Sequence, residues 1–147
     1  MPTIIPGYVY SLFAALIVGA IIVYSCSIVA LNIKNQATIQ QLTNIDKYVA
    51  TQSLKLLSHT TEANQNNTQF LDLPSQIGNQ RYWIRITNDS SNSWIESGFG
   101  TTVTPQALRM IIPAQILASG TFISGSGKAV LHCRFENQSA ILALTGV

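Results

Sequence analysis

Gly125-Ser126-Gly127-Lys128 is the stretch nearest to a phosphate-binding loop, and its surroundings exclude that chemistry. The motif wants a glycine five residues before Gly127, where Phe122 stands, and a Ser or Thr after the lysine to hold magnesium, where Ala129 stands. The residues that follow predict a strand instead of a helix, so a plain hairpin turn is expected here. His59 and His132 are far apart, and neither has a second histidine or a cysteine at metal-ligand spacing apart from the adjacent Cys133. The carboxylates Asp46, Glu62, Asp72, Asp89, Glu96 and Glu136 are scattered, with no two close enough in sequence to suggest an acid and base couple. Tyr82, Trp83, Trp94 and Phe99 could line a ligand groove, but aromatics in short alternating strands are expected as core and cross-strand packing. No metal, no cofactor and no catalytic residue is therefore expected, and the chain does not read as an enzyme.

Charge is distributed in a way that chemistry at a site does not explain. No Asp, Glu, Lys, Arg or His occurs before Lys34, while charged residues make up only 10% of the whole. Soluble globular domains carry roughly 25%. The net charge of +2 is small, and the basic residues are spread from Lys34 to Arg134 with no patch able to neutralise a row of phosphates. Nucleic acid is not expected as a partner. Cys26 lies in the uncharged stretch and Cys133 in a predicted strand near the C-terminus, so two free thiols are expected and not a disulfide, which needs Cα atoms within about 7 Å.

From Gly7 to Ile33 the sequence reads GYVYSLFAALIVGAIIVYSCSIVALNI. As a helix at 1.5 Å per residue it spans roughly 40 Å, enough to cross a bilayer. A secretory signal fits poorly, because it starts with a basic region and has an apolar core of roughly 7 to 15 residues. Pro2 and Pro6 sit where proline is tolerated, so the helix is expected to begin near Pro6. Ala14, Ala15, Gly19, Ala20, Ser25, Ser27 and Ala30 put small residues among Leu, Ile and Val, which lets helix backbones approach closely. After Lys34 the pattern turns amphipathic, with Ile39, Leu42, Ile45, Val49, Leu54 and Leu57 at helical spacing. No Gly or Pro interrupts residues 20 to 73. One helix, apolar all round in its first half and one-sided in its second, is predicted over residues 1–60.

Residues 58–69, SHTTEANQNNTQ, carry no large apolar side chain and read as a connection, with the linker proper at 61–69. Residues 70–147 then read as a β-rich head. Arg81-Tyr82-Trp83-Ile84-Arg85-Ile86 alternates, placing Tyr82, Ile84 and Ile86 on one face. Further strands are predicted at 93–96, 108–112, 121–124, 129–135 and 140–144. Turn signals stand at Asn88-Asp89, Gly98 with Gly100, Pro105, Pro113, Gly120 and Gly125-Ser126-Gly127. The fold class expected is α+β: one long N-terminal hydrophobic helix followed by a small antiparallel β-sandwich or barrel. Three Asn-x-Ser/Thr sequences, at Asn66, Asn88 and Asn137, lie in expected loops and are candidates for N-linked glycans on an exported head.

The order of parts resembles that of subunits of the archaeal type IV pilin and archaellin superfamily. IIPGYVYSLFAALIVGAIIVYSCSIVALNI carries the likeness as sequence, and the amphipathic NQATIQQLTNIDKYVATQSLKLL and the β-rich remainder carry it as layout. Ile5 stands where bacterial pilins place a glutamate, as is common in archaeal members. No charged leader precedes the apolar run, so residue 1 is expected close to the mature N-terminus, or the start is retained. The resemblance implies a homopolymer: a helical filament with residues 4–33 as its core and residues 70–147 as an outer wall, often glycosylated. It also implies membrane insertion before assembly, an extracellular filament afterwards, and roles such as adhesion or motility. Tyr8, Leu12, Leu16, Gly19, Ile22, Cys26 and Val29 are the expected polymerisation contacts. The competing expectations are a single-pass membrane-anchored protein whose extracellular β-domain binds a ligand or partner, and a minor pilin.

Overall fold

A computed structural model of the chain describes residues 4–63, 65–89, 91–104, 109–113, 116–136 and 139–147. The expected turn at Pro105, the first residue of the expected strand at Leu108, and Asn137 lie outside them. Helix α1 runs from Ile4 to Ala63, close to 90 Å at 1.5 Å per residue. Pro6 falls in its first turn, where backbone N–H groups have no intrahelical acceptor in any case. Seven strands follow: β1 Asn67–Leu71, β2 Tyr82–Asn88, β3 Ser93–Phe99, β4 Arg109–Ile112, β5 Leu117–Ile123, β6 Ala129–Glu136 and β7 Ser139–Gly146.

All seven strands join one sheet, in the order β1-β6-β7-β5-β2-β3-β4. The α+β layout is as expected, and the sheet is mostly antiparallel. Its exception is β5 beside β7, which run parallel from Leu117↔Ile141 to Gly120↔Leu144. The second layer of the head comes from the helix. Leu42, Val49, Ala50 and Leu56 of α1 join one buried cluster with Tyr82, Ile84, Ile86, Ile95, Ile112, Phe122, Leu131, Leu142 and Leu144. The alternation of β2 thus put the right side chains inward.

The chain forms two compact units, residues 1–39 and 40–147. The boundary expected after residue 60 therefore falls earlier, because residues 42–57 of the helix belong to the core of the head. The expected linker at 61–69 is also shorter. Helix continues through Ala63, and β1 begins at Asn67. The polar side chains read as a loop are satisfied inside the helix: Ser58 Oγ donates to Lys55 O at 2.9 Å and Thr61 Oγ1 to Leu57 O at 2.9 Å. Thr60 is buried and accepts from Asn67 Nδ2 at 3.2 Å.

Two turn signals are corrected, and a third turn stands but joins strands that do not pair. Gly98 lies inside β3, where a Cβ would stand 2.8 Å from the Trp83 ring. Gly120 lies inside β5 at φ 126°, and a Cβ there would stand 2.1 Å from Leu144 O. Both glycines mark close approach and not reversal. Residues 124–128 do turn, but they do not close a hairpin. They join β5 to β6, which flank β7 from either side, and Lys128 and Val147 exchange backbone hydrogen bonds at 2.7 and 2.9 Å. The last strand is thereby held inside the sheet, third from one edge.

Candidate assembly surface

The first unit offers one surface, the helix itself. Every residue from Gly7 to Ala37 is exposed. Sixteen large apolar side chains between Tyr8 and Ile33 are open to the surroundings, among them Tyr8 at 70%, Leu12 at 50%, Leu16 at 62%, Ile22 at 57% and Val29 at 56%. Gly19 and Cys26 are exposed as well. The seven expected polymerisation residues share this exposure with Val9, Phe13, Ile17, Val18, Ile21, Val23, Ile28 and Leu31. At 100° per residue these positions encircle the axis, so the apolar surface is a sleeve and not a stripe.

Polar groups in the sleeve make few demands on a partner. Ser11 Oγ donates to Tyr8 O at 3.0 Å, Ser25 Oγ to Ile21 O at 2.8 Å, and Ser27 Oγ to Val23 O at 2.9 Å. Backbone groups are paired along the helix, so the segment enters an apolar medium without leaving those donors bare. It is long and apolar enough to cross a membrane, which fits membrane insertion weakly, by length and composition.

No family model, curated protein or solved structure matches this chain. What the chain can do is therefore argued from its own surfaces. Among the described residues no group of three or more His, Cys, Asp or Glu side chains stands together as a metal site. Cys26 and Cys133 are free thiols, one exposed and one buried.

The head contains two charged arrangements that spacing along the sequence did not suggest. On the sheet face opposite the helix, Glu96 sits between Arg85 of β2 and Arg109 of β4 in register. Arg85 Nη2 donates to Glu96 Oε2 and Trp94 Nε1 to Oε1 at 2.8 Å, while Arg109 Nε forms an ion pair with Oε1 at 3.1 Å. The Arg109 guanidinium also stacks 4.8 Å above the Trp94 ring. Burial pushes the Glu96 carboxyl up, but hydrogen bonds from Arg85 and Trp94 and the charges of both arginines outweigh it, leaving the group below the usual carboxylate range. The arrangement ties three strands together. The cross-strand pairing of Arg85 with Glu96 was the signal available, once Asp89 is seen to make the turn by accepting from Ser91 N and Asn92 N at 2.8 and 2.7 Å. Those backbone donors lower the Asp89 carboxyl.

The second arrangement is Asp46, on the buried side of α1. Its Oδ2 accepts from Ser97 Oγ at 2.6 Å, and its Oδ1 has no hydrogen-bond partner among the described residues. Of the four aromatics, Tyr82 is in the core, its hydroxyl donating to Pro74 O at 2.6 Å, and Phe99 packs against it. Trp83 is buried but outside the main cluster, and Trp94 is half-buried under Arg109. Of the candidate glycan acceptors, Asn66 is exposed and Asn88 half-buried.

Proposed function

We propose that this chain is the structural subunit of an extracellular type IV pilus-like filament, polymerising through the sleeve Gly7–Ile33, with adhesion or motility as its role. The observation that carries this reading is an apolar surface on every side of a helix that has no Asp, Glu, Lys, Arg or His before Lys34. Burying one Leu, Ile, Val or Phe side chain stabilises by about 1.5–3 kcal/mol. Sixteen exposed apolar side chains then give a gross drive of tens of kcal/mol for leaving water, before the entropy of association is counted. A bilayer satisfies that drive before assembly. A bundle of identical helices satisfies it outside the cell, and the small side chains at Ala14, Ala15, Gly19, Ala20 and Ala30 permit close backbone approach. The head has its own buried core, which takes in the helix from Leu42 onward and no residue of the sleeve, as suits an outer wall of repeated domains. Its polar clusters hold strands together, so the role is read as structural and not catalytic.

Electron microscopy of material sheared from cells, with the chain identified by mass spectrometry, tests this. Helical filaments containing the chain are the expected result. Dispersed single particles that stay monomeric in detergent would instead favour a membrane-anchored protein with a ligand-binding head.

A further inference from the structure

The three Asn-x-Ser/Thr sequences are not equivalent in the folded chain. Asn66 lies in the short connection between α1 and β1 and is exposed. Its Oδ1 accepts from Phe135 N at 3.3 Å, while its Nδ2 makes no hydrogen bond among the described residues. An amide is planar, so holding the oxygen against the sheet turns the nitrogen outward. Thr68, the third residue of this sequence, is exposed on edge strand β1, its Oγ1 3.1 Å from His132 Nδ1. Beside it the sheet face carries a groove of about 420 Å³ lined by His132, Arg134, Glu136, Ile141, Ala143 and Thr145. Charged and hydroxyl groups around an aliphatic floor suit a sugar lying flat.

Asn88 is the opposite case. Its Oδ1 accepts from Ala118 N at 3.1 Å and its Nδ2 donates to Asp89 O at 3.2 Å. The residue is half-buried and closes the β2–β3 pairing opposite Ser93. A sugar on Nδ2 would replace one of the two hydrogens on the nitrogen that donates to Asp89 O and crowd this half-buried position. Asn137 lies outside the described residues.

We propose that Asn66 carries an N-linked glycan and that Asn88 stays bare. This rests on the reading of the chain as exported. In the transfer, Asn66 Nδ2 forms a bond to C1 of a sugar carried by a glycosyl phosphate donor. The C1–O bond to phosphate breaks, the phosphate leaves with the electron pair, and the amide nitrogen gives up one proton to the medium.

Intact-mass and glycopeptide measurements on the full chain from its own host decide the matter. Wild type and Asn88→Gln are expected to carry the same glycan mass. Asn66→Gln and Thr68→Ala are each expected to lose the glycan on the peptide that holds residue 66, and Thr68→Ser, which restores the acceptor sequence, to keep it. A glycan on Asn88, or a bare Asn66 in protein recovered outside the cell, would overturn the assignment alone. Protein found only inside the cell, with every Asn bare, would overturn the assignment together with the reading of export.

Discussion

The Ser97 hydroxyl donates a 2.6 Å hydrogen bond to Asp46 Oδ2 across 51 residues of sequence, joining α1 to β3 inside the core. Asp46 Oδ1 has no hydrogen-bond partner among the described residues. Burial pushes the carboxyl up to about 6 from an ordinary 3.8, against the lowering effect of the Ser97 bond. The neutral acid is therefore the form that the folded head prefers.

Stability should accordingly fall as the pH rises. Below pH 3.8 Asp46 is protonated both folded and unfolded. Between 3.8 and about 6 the unfolded chain ionises first, and above 6 the full penalty stands. Asp46→Asn keeps an acceptor for Ser97 and removes the charge. At pH 7 it is expected to stabilise the head by up to about 3 kcal/mol, and at pH 4 by little. Thermal unfolding at both pH values checks this, and equal shifts at the two would refute the assignment.

Glu96→Ala should act in the other direction. It strips both arginines of their shared partner, and since Arg85 is only 31% exposed, its charge is left half-buried. A loss of about 2–4 kcal/mol is expected, with β2, β3 and β4 gaining hydrogen exchange together. Arg109→Ala leaves the Arg85 pair intact. Because Arg109 is 53% exposed, a loss of about 1 kcal/mol is expected, with denaturant titration of both variants as the measurement.

Gly120→Ala is expected to be severe. Its Cβ would meet Leu144 O at 2.1 Å, at a backbone φ of 126° that side chains rarely adopt, so β5 and β7 could not keep their parallel pairing. A loss of 3 kcal/mol or more is expected. Gly78→Ala is the comparison: φ is 61° with nothing within 4 Å, and about 1 kcal/mol is expected.

These contrasts show which parts of the fold could be read from residues alone. The absence of charge before Lys34 and the helical spacing of Leu42 and Val49 were enough for α1, because burial of a helix face follows local periodicity. The alternation in β2 gave the inward side chains for the same reason. Gly98 and Gly120 misled, since a glycine admits both a turn and a close approach, and only the partner strand tells which. The interior position of β7 and the Asp46–Ser97 bond depend on residues distant in sequence, which periodicity does not reach. The connection at 58–69 was read too long because Ser58, Thr60 and Thr61 find their acceptors and donors within the helix or beside it. The sleeve was legible as a whole, whereas the seven polymerisation residues named within it came from a resemblance, and exposure does not separate them from their neighbours.

Gly19→Arg tests the central claim most directly. A side chain at Gly19 meets nothing within 4 Å in the single chain, so the fold of the chain itself should be unchanged. In a bundle of apolar helices it would bury an unpaired charge at several kcal/mol per subunit. Cells carrying the variant should make folded head in normal amount, with the same thermal unfolding as wild type, and no filaments under the electron microscope. Filaments of ordinary length and number from Gly19→Arg would contradict the account.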